Sequence, residues 1–204
     1  MNTIRIGQKQ LLTRPPDECF PSWRRLLRYL EERETGSAEK AVSRDDLTVV
    51  RDDDSLALRV GQEHAWYTLN DWSFRQICEL SGANPDFISK LRPELAAQVL
   101  NETRHKLYGK TDDEAKLLVH ENSLVRAIYS PTYCRVPDLL VARLVNTHAS
   151  GFVPAGDVAG RHVGMPPVRP EASGLYASSR DMFLFLADEV NPVEWRRAPR
   201  GRVD

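Results

Sequence analysis

Cysteine is scarce in this chain, which contains only Cys19, Cys78 and Cys134 among its 204 residues. No two cysteines are spaced as C-x-x-C, so the sequence predicts neither a disulfide framework nor a thiolate zinc site. No segment approaches the roughly 18 consecutive apolar residues of a transmembrane helix, and residues 1–7 lack the apolar core of a secretory signal peptide. We therefore expect a cytoplasmic protein that does not enter a membrane.

Motifs of common catalytic sites are also missing. The sequence contains no nucleophile elbow, phosphate-binding loop, H-E-x-x-H zinc motif or G-x-G-x-x-G fingerprint. His148, Asp157 and His162 lie around a glycine-rich stretch, but the close spacing of usual zinc ligands is absent. Asp181 lies beside Arg180, and the favoured interpretation is that the two form an ion pair at the end of a loop rather than that Asp181 is a catalytic carboxylate. We expect no metal and no cofactor, and the sequence favours a protein that is not an enzyme.

The composition is that of an ordinary globular protein. Hydrophobic residues make up 41% of the chain and charged residues 28%, both within the usual range. The net charge of −1 excludes a strongly basic, histone-like protein but is compatible with a local arginine patch. At this length we expect one α+β domain over residues 21–190, preceded by an extended lead (1–20) and followed by a basic tail (191–204).

Alternating polarity predicts an antiparallel sheet that contains two hairpins. The first joins Leu47–Val50 to Leu56–Val60 across a polar turn, and the second joins Ala115–His120 to Leu124–Ser130. Ala65–Leu69 is rich in aromatic residues and predicts a further strand. Together these segments predict an antiparallel sheet of two or more hairpins, packed against several helices.

Strict alternation along the last strand of the second hairpin would divide its side chains between two faces. One face would carry Val125, Ala127 and Tyr129, and the other would carry Arg126, Ile128 and Ser130. One face of the sheet is therefore expected to present Arg126.

Helix signals flank and separate the hairpins. An apolar stripe that begins at Trp23 predicts an amphipathic helix from Ser22 to about Glu34, before the loop signal Thr35-Gly36-Ser37. Capping residues and prolines predict further helices over 71–108. On the first of these helices Phe74, Ile77 and Cys78 share a face, and on the second Phe87, Ile88 and Leu91 are the expected buried side. The third helix carries Leu95, Val99, Leu100 and Leu107. Apolar residues on several sides of 137–148 predict a deeply packed helix.

A helix-turn-helix that reads DNA is disfavoured within 71–108. The segment Asn84–Leu91, which would be the recognition helix, carries only Lys90 as a basic residue, whereas phosphate contact requires a positive face.

Glycine and proline are concentrated between Ala149 and Leu175. Such a stretch predicts a long and mobile loop. Met182–Ala187 follows as one hydrophobic strand.

Five motifs occur in an order and spacing that resemble a known family. They are Arg44–Leu47, Ser73–Ile77, Asn84–Asn101, Val125–Tyr133 and Gly174–Phe183. Together they resemble the phage- and plasmid-encoded family that is numbered 932 among the domains of unknown function. The resemblance covers roughly residues 20 to 188. Family members are typically longer and continue into an Asn-Ser-Glu-Val-Gly-like motif, which this sequence does not contain.

A basic and aromatic surface is the candidate functional feature. It comprises Arg126, Tyr129, Tyr133 and Arg135 near the second hairpin, with Tyr176 and Arg180 after the long loop. Single-stranded nucleic acids bind to such surfaces through base stacking and phosphate contacts. The phage and plasmid context that the resemblance implies favours DNA transactions such as replication or recombination.

Two alternatives remain open at this stage. The tyrosines of a strand also pack commonly between sheet and helix. The chain is alternatively a non-enzymatic interaction protein or an oligomeric assembly factor, for example one that counters a host defence, in which the Trp23 helix and the long loop make the contacts.

Overall fold

The computed structural model describes residues 15–61, 65–107, 114–121, 123–159, 174–179 and 181–190. The chain separates into two compact units. The sheet unit comprises Tyr29–Leu139 and Ser179–Asp181, and the small unit comprises Met1–Arg28, Leu140–Ser178 and Met182–Asp204. Most of the predicted lead and the whole basic tail lie outside the described residues. The extended lead, the basic tail and the single-domain organisation stay predictions.

The sheet unit is built on a six-stranded sheet with the strand order β1-β5-β6-β4-β3-β2. The strands are β1 (Ser37–Ser43), β2 (Leu47–Asp52), β3 (Ser55–Val60), β4 (Ala65–Leu69), β5 (Glu114–His120) and β6 (Leu124–Tyr129). Neighbouring strands are antiparallel except β4 and β6, which run parallel. Both predicted hairpins and the α+β class are confirmed, with the difference that the sheet is mixed.

Strand β1 begins where the sequence predicts a loop. Its seven residues, Ser-Ala-Glu-Lys-Ala-Val-Ser, include only one β-branched side chain, so the local preference for a strand is weak. The strand forms because every residue pairs with β5, from Ser37 opposite His120 to Ser43 opposite Glu114. Its partner is distant in the sequence, and no local pattern signals it.

Six α-helices lie within the described residues. They are α1 (Trp23–Thr35), α2 (Asp71–Leu80), α3 (Pro85–Ile88), α4 (Pro93–Leu107), α5 (Asp138–His148) and α6 (Ala155–Ala159). Asn70 caps α2 in a reciprocal capping box with Ser73, and Asn84 caps α3. Gly82, after α2, has a φ of 62°, the left-handed conformation that glycine adopts without steric cost. None of these helices is both long and apolar enough to cross a membrane.

The core of the sheet unit lies between one face of the sheet and helices α2, α3 and α4. It includes Leu58, Leu117, Val119 and Val125 from the strands and Ile77, Cys78, Ile88 and Leu100 from the helices. Phe87, which was predicted on the buried side of its helix, is 59% exposed instead, and Leu95 of α4 is 43% exposed. Helix α3 is only four residues long, so it buries one apolar side chain rather than two. Helix α4 buries Ala96, Ala97 and Leu100, and Leu95 lies outside that face.

A side-chain amide covers the outer edge of the sheet at β2. Asn101 of α4 accepts a hydrogen bond from the Val49 N–H at 2.9 Å and donates one to the Val49 carbonyl at 2.8 Å. The amide thereby makes the two contacts that a neighbouring strand would make. Exposed strand edges favour pairing with other chains, so Asn101 both stabilises β2 and protects it.

The small unit contains two short sheets. Strand β7 (Phe152–Pro154) pairs with β10 (Leu186–Asp188), and β8 (Leu175–Ala177) pairs with β9 (Met182–Leu184). The single strand predicted over 182–187 is wrong because Phe185 interrupts it. The Phe185 N–H donates to the Gly174 carbonyl, and its carbonyl accepts from the Ala155 N–H. The segment predicted as a long loop contains β7 and α6, and its residues 160–173 lie outside the described part of the chain.

Helix α5 is much less buried than predicted. Of its eleven residues, all of which the structure describes, Ala142 alone is buried, and Leu140 and Leu144 are each 49% exposed. The prediction of a deeply packed helix is therefore wrong. Apolar residues on several sides of a helix indicate central packing only when other elements surround it.

Candidate nucleic-acid interface

A β-bulge in β6 determines how the candidate residues are arranged. Leu118 of β5 lies opposite Ala127, whereas the next residue, Val119, lies opposite Val125. Arg126 is therefore an extra residue in the ladder. Such a bulge bends the strand and locally increases its twist, and it commonly redirects a side chain.

The bulge overturns the predicted alternation along β6. Val125 and Ile128 both belong to the core, although they are three positions apart and strict alternation would assign them to opposite faces. By contrast, Arg126 and Tyr129, which strict alternation assigns to opposite faces, line one cavity. One inserted residue thus brings a cation and an aromatic ring to the same place.

Two side-chain amides hold the bulged strand. Strand β4 ends at Leu69, so β6 has no strand neighbour on that side beyond Val125. The Asn70 amide donates to the Arg126 carbonyl at 3.2 Å. The Gln76 amide donates to the Ile128 carbonyl at 2.8 Å and accepts from the Ile128 N–H at 2.9 Å. The start of α2 therefore replaces the missing strand and fixes the backbone that carries Arg126.

Arg126 is a buried cation. Its residue is only 7% exposed, and its guanidinium donates one hydrogen bond, to the Ser37 hydroxyl at 3.1 Å. Ser37 is its only hydrogen-bond partner among the described residues, and no carboxylate of that part of the chain forms an ion pair with it. Burial is the main cause that lowers the pKa of Arg126, and the positive charge of Arg33 lowers it further. The site therefore contains a desolvated positive charge whose partner is neutral.

Tyr129 and Tyr133 form a stacked pair. Their ring centroids are 4.7 Å apart and the rings are inclined by 25°, within the usual range for offset stacking. The Tyr133 N–H donates to the Ser130 carbonyl at 3.1 Å, a turn that returns the chain over β6. Tyr129 is half-buried, which raises the pKa of its phenol, whereas Tyr133 is 50% exposed. The pair therefore presents the Tyr133 ring to solvent, and the Tyr129 ring supports it.

Arg135 is neutralised by two carboxylates. It forms a bidentate contact with Glu34, with one of its two hydrogen bonds at 3.1 Å, and it donates to Glu39 at 3.2 Å. These contacts raise the pKa of Arg135 and lower the pKa of Glu34. Arg33 forms a similar ion pair with Asp138. Arg126 is thus the cation of this cluster without a carboxylate partner in the described structure.

These side chains surround a small polar cavity, which we call the arginine–tyrosine cavity. Its volume is about 130 Å³. It is lined by Trp72, Leu118, Arg126, Ala127, Tyr129, Tyr133, Arg135, Val136, Asp138 and Ser179. All of these residues belong to the sheet unit. Four of the six predicted site residues therefore come together here.

A second cavity in the sheet unit is larger but chemically different. It has a volume of about 300 Å³ and lies between the β2–β3 turn and helices α2, α3 and α4. Its lining is mostly apolar, with Leu56, Leu69, Phe74, Ile88 and Leu91, and it contains no basic side chain. A phosphate would meet Asp54 and Asp71 there, so this cavity is unsuited to a nucleic acid.

The other two predicted site residues are not in the cavity lining. Tyr176 is 1% exposed within the small unit, and its ring packs edge-on against Phe185. A ring that is fully buried has no free face for a base, so this structure corrects the prediction for Tyr176. Arg180 lies outside the described residues, as does His162 of the possible metal site.

Residues of α1 and α2 complete the cluster although the sequence does not single them out. Arg33 and Glu34 lie at the end of α1, and Trp72 lies in the first turn of α2. Charged residues at a helix end are ordinary features of an amphipathic helix. Only the tertiary contacts distinguish Arg33 and Glu34 from the other charged residues of α1.

Comparisons of this chain with protein-family models, with curated proteins and with solved structures found no match. The resemblance to the phage and plasmid family therefore stays a prediction that rests on the five motifs.

Proposed function

We propose that this protein binds single-stranded nucleic acid at the arginine–tyrosine cavity. One observation carries the proposal: a buried arginine without a carboxylate partner among the described residues lies in the same cavity lining as an exposed, stacked tyrosine. Phosphate contact and base stacking are the two interactions that hold single strands without reading their sequence. In the context that the family resemblance implies, the protein is an accessory factor in phage or plasmid replication or recombination.

The two tyrosines have different roles in this proposal. Tyr133 offers its outer face to a base, because half of the residue is exposed. Tyr129 supports it from behind at a centroid distance of 4.7 Å, so the ring that receives the base is already oriented. A preorganised ring loses little conformational entropy on binding.

The proposal is tested by fluorescence anisotropy with single-stranded DNA, duplex DNA and RNA at two salt concentrations. Tyr133→Ala should weaken single-strand binding by about 1–3 kcal/mol, the usual value of one base–aromatic stack, with little change in salt dependence. Tyr133→Phe should keep most of the affinity because the ring remains. Trp66→Ala is a matched control, since Trp66 is another exposed aromatic residue (47%) of the sheet unit outside the cavity lining. A wild-type chain that binds no nucleic acid at low salt would refute the proposal.

Self-association is the second candidate, and the exposed leucines of α5 favour it. Leu140 and Leu144 are separated by one helical turn and are both 49% exposed, so they lie together on one side of the small unit's helix. Exposed apolar patches commonly mark protein–protein contacts. Light scattering should then show an oligomer that Leu140→Glu with Leu144→Glu converts to a monomer, whereas a wild-type monomer would exclude this candidate.

A further inference from the structure

The guanidinium of Arg126 has donors that no described residue uses. An arginine carries five N–H donors, and Ser37 accepts from one nitrogen of Arg126. No side-chain nitrogen of Arg126 is both deeply buried and without a hydrogen-bond partner. The remaining nitrogens of Arg126 are therefore not sealed inside the protein, and the cavity that Arg126 lines is where they are accessible.

A phosphate group matches this arrangement of charge and donors. Burying a charge is costly unless it is paired and hydrogen-bonded, so an anion that enters the cavity compensates the desolvation of Arg126. Guanidinium groups bind phosphate oxygens with two parallel hydrogen bonds. A terminal phosphate carries about −1.5 to −2 charges at pH 7 and three acceptor oxygens, whereas a phosphodiester inside a strand carries one charge.

The size of the cavity favours a chain end over the middle of a strand. Its volume of about 130 Å³ equals the volume that roughly four water molecules occupy in liquid water. This is well below the usual volume of pockets that bind whole small-molecule ligands. One phosphate group fits this space. An internal phosphate would have to enter with a nucleotide attached on each side of it, whereas a terminal phosphate has a nucleotide on one side only.

The neighbouring carboxylates disfavour a strand that tracks across the cluster. Glu34, Glu39 and Asp138 all lie beside the arginines, so a passing strand would meet as many negative charges as positive ones in this cluster and would gain little net attraction. Asp138 also lines the cavity, but its carboxylate is paired with Arg33. A single group seated on Arg126 meets the cation of this cluster that forms no ion pair with a carboxylate of the described residues.

We propose that the arginine–tyrosine cavity binds the terminal phosphate of a single strand, with Arg126 holding the phosphate and Tyr133 stacking on the terminal base. This inference rests on the proposed function and names the part of the nucleic acid that the site recognises. Arg135 stays paired with Glu34 and Glu39 and shapes the rim. Ser37 orients the guanidinium through the hydrogen bond that it accepts.

The test compares short single strands that differ only at their ends. Three internally labelled oligonucleotides of one sequence carry a 5′-phosphate, a 3′-phosphate or no terminal phosphate, and their affinities are measured by fluorescence anisotropy. One phosphorylated strand should bind at least about tenfold more tightly than the unphosphorylated strand, which is the size of a hydrogen bond to a charged group. Inorganic phosphate should compete with that strand only.

Variants separate the two contacts. Arg126→Gln should abolish the preference for the phosphorylated end, whereas Tyr133→Ala should weaken all three strands by a similar factor. Arg126→Lys keeps the positive charge but lacks the two parallel N–H donors of the guanidinium, so it should retain part of the preference. This variant replaces Arg126→Gln in the test if Arg126→Gln does not fold. Circular dichroism establishes which variants are folded.

The outcomes distinguish this inference from the proposed function. If all three strands bind equally, end recognition is refuted while binding of single strands stands. An undiminished end preference in folded Arg126→Gln would also refute the role of Arg126. If no strand binds, the proposed function fails and this inference fails with it.

Discussion

Replacing Gln76 by methionine tests the contact that fixes the bulged strand. Methionine has a similar length and helix propensity, so the substitution removes the amide and little else. It leaves the N–H and the carbonyl of Ile128, a residue that is 7% exposed, without their two partners at 2.9 and 2.8 Å. An unsatisfied buried group costs about 1–3 kcal/mol. Since Gln76 is itself only half-buried, water offsets part of the loss, and we expect about 2–3 kcal/mol in the free energy of unfolding.

Urea unfolding followed by circular dichroism measures this cost. With a typical slope of about 1–3 kcal/mol per molar urea, the midpoint should fall by roughly 1 M at an unchanged slope. Glu79→Met is the matched control, because Glu79 lies on an exposed position of the same helix, and its effect should stay within about 0.5 kcal/mol. A Gln76→Met protein as stable as the control would show that the amide does not hold β6 and would refute the reasoning.

Three further substitutions probe other contacts. The contact with Arg135 lowers the pKa of Glu34, so Glu34→Gln should reduce stability at pH 7. The difference in stability from wild type should shrink as the pH falls below about 4.3, where Glu34 becomes protonated. Urea unfolding at pH 7 and below about pH 4.3 measures this difference. Asn101→Leu should lower the free energy of unfolding by about 1–3 kcal/mol and increase aggregation measured by light scattering, because it uncovers the edge of β2. Gly174→Ala should lower the thermal midpoint of the small unit, since φ is 90° and a Cβ would lie 2.7 Å from the Phe185 carbonyl; an unchanged midpoint would contradict this.

Local signals allowed most secondary-structure elements to be predicted. Asn70 and Asn84 cap their helices and Gly82 follows α2, because caps depend on the conformation of a few neighbouring residues. Both hairpins were predictable because their turns join strands that are adjacent in the sequence. The sequence also pointed to Arg126 and Tyr133 as candidates, on residue type and proximity alone.

Tertiary structure decided the rest, and in each case the partner is distant in the sequence. Strand β1 exists because β5 pairs with it. Arg135 is neutralised by Glu34, which lies on a helix 101 positions earlier.

The bulge at Arg126 was also beyond local prediction. Its backbone pairs with β5 on one side. On the other side it accepts hydrogen bonds from the side-chain amides of Asn70 and Gln76. Residue patterns report which side chains prefer burial and which backbone conformations are accessible, over a span of a few residues. They do not report which distant groups will satisfy a buried hydrogen bond or leave a charge unpaired, and those contacts shape the arginine–tyrosine cavity.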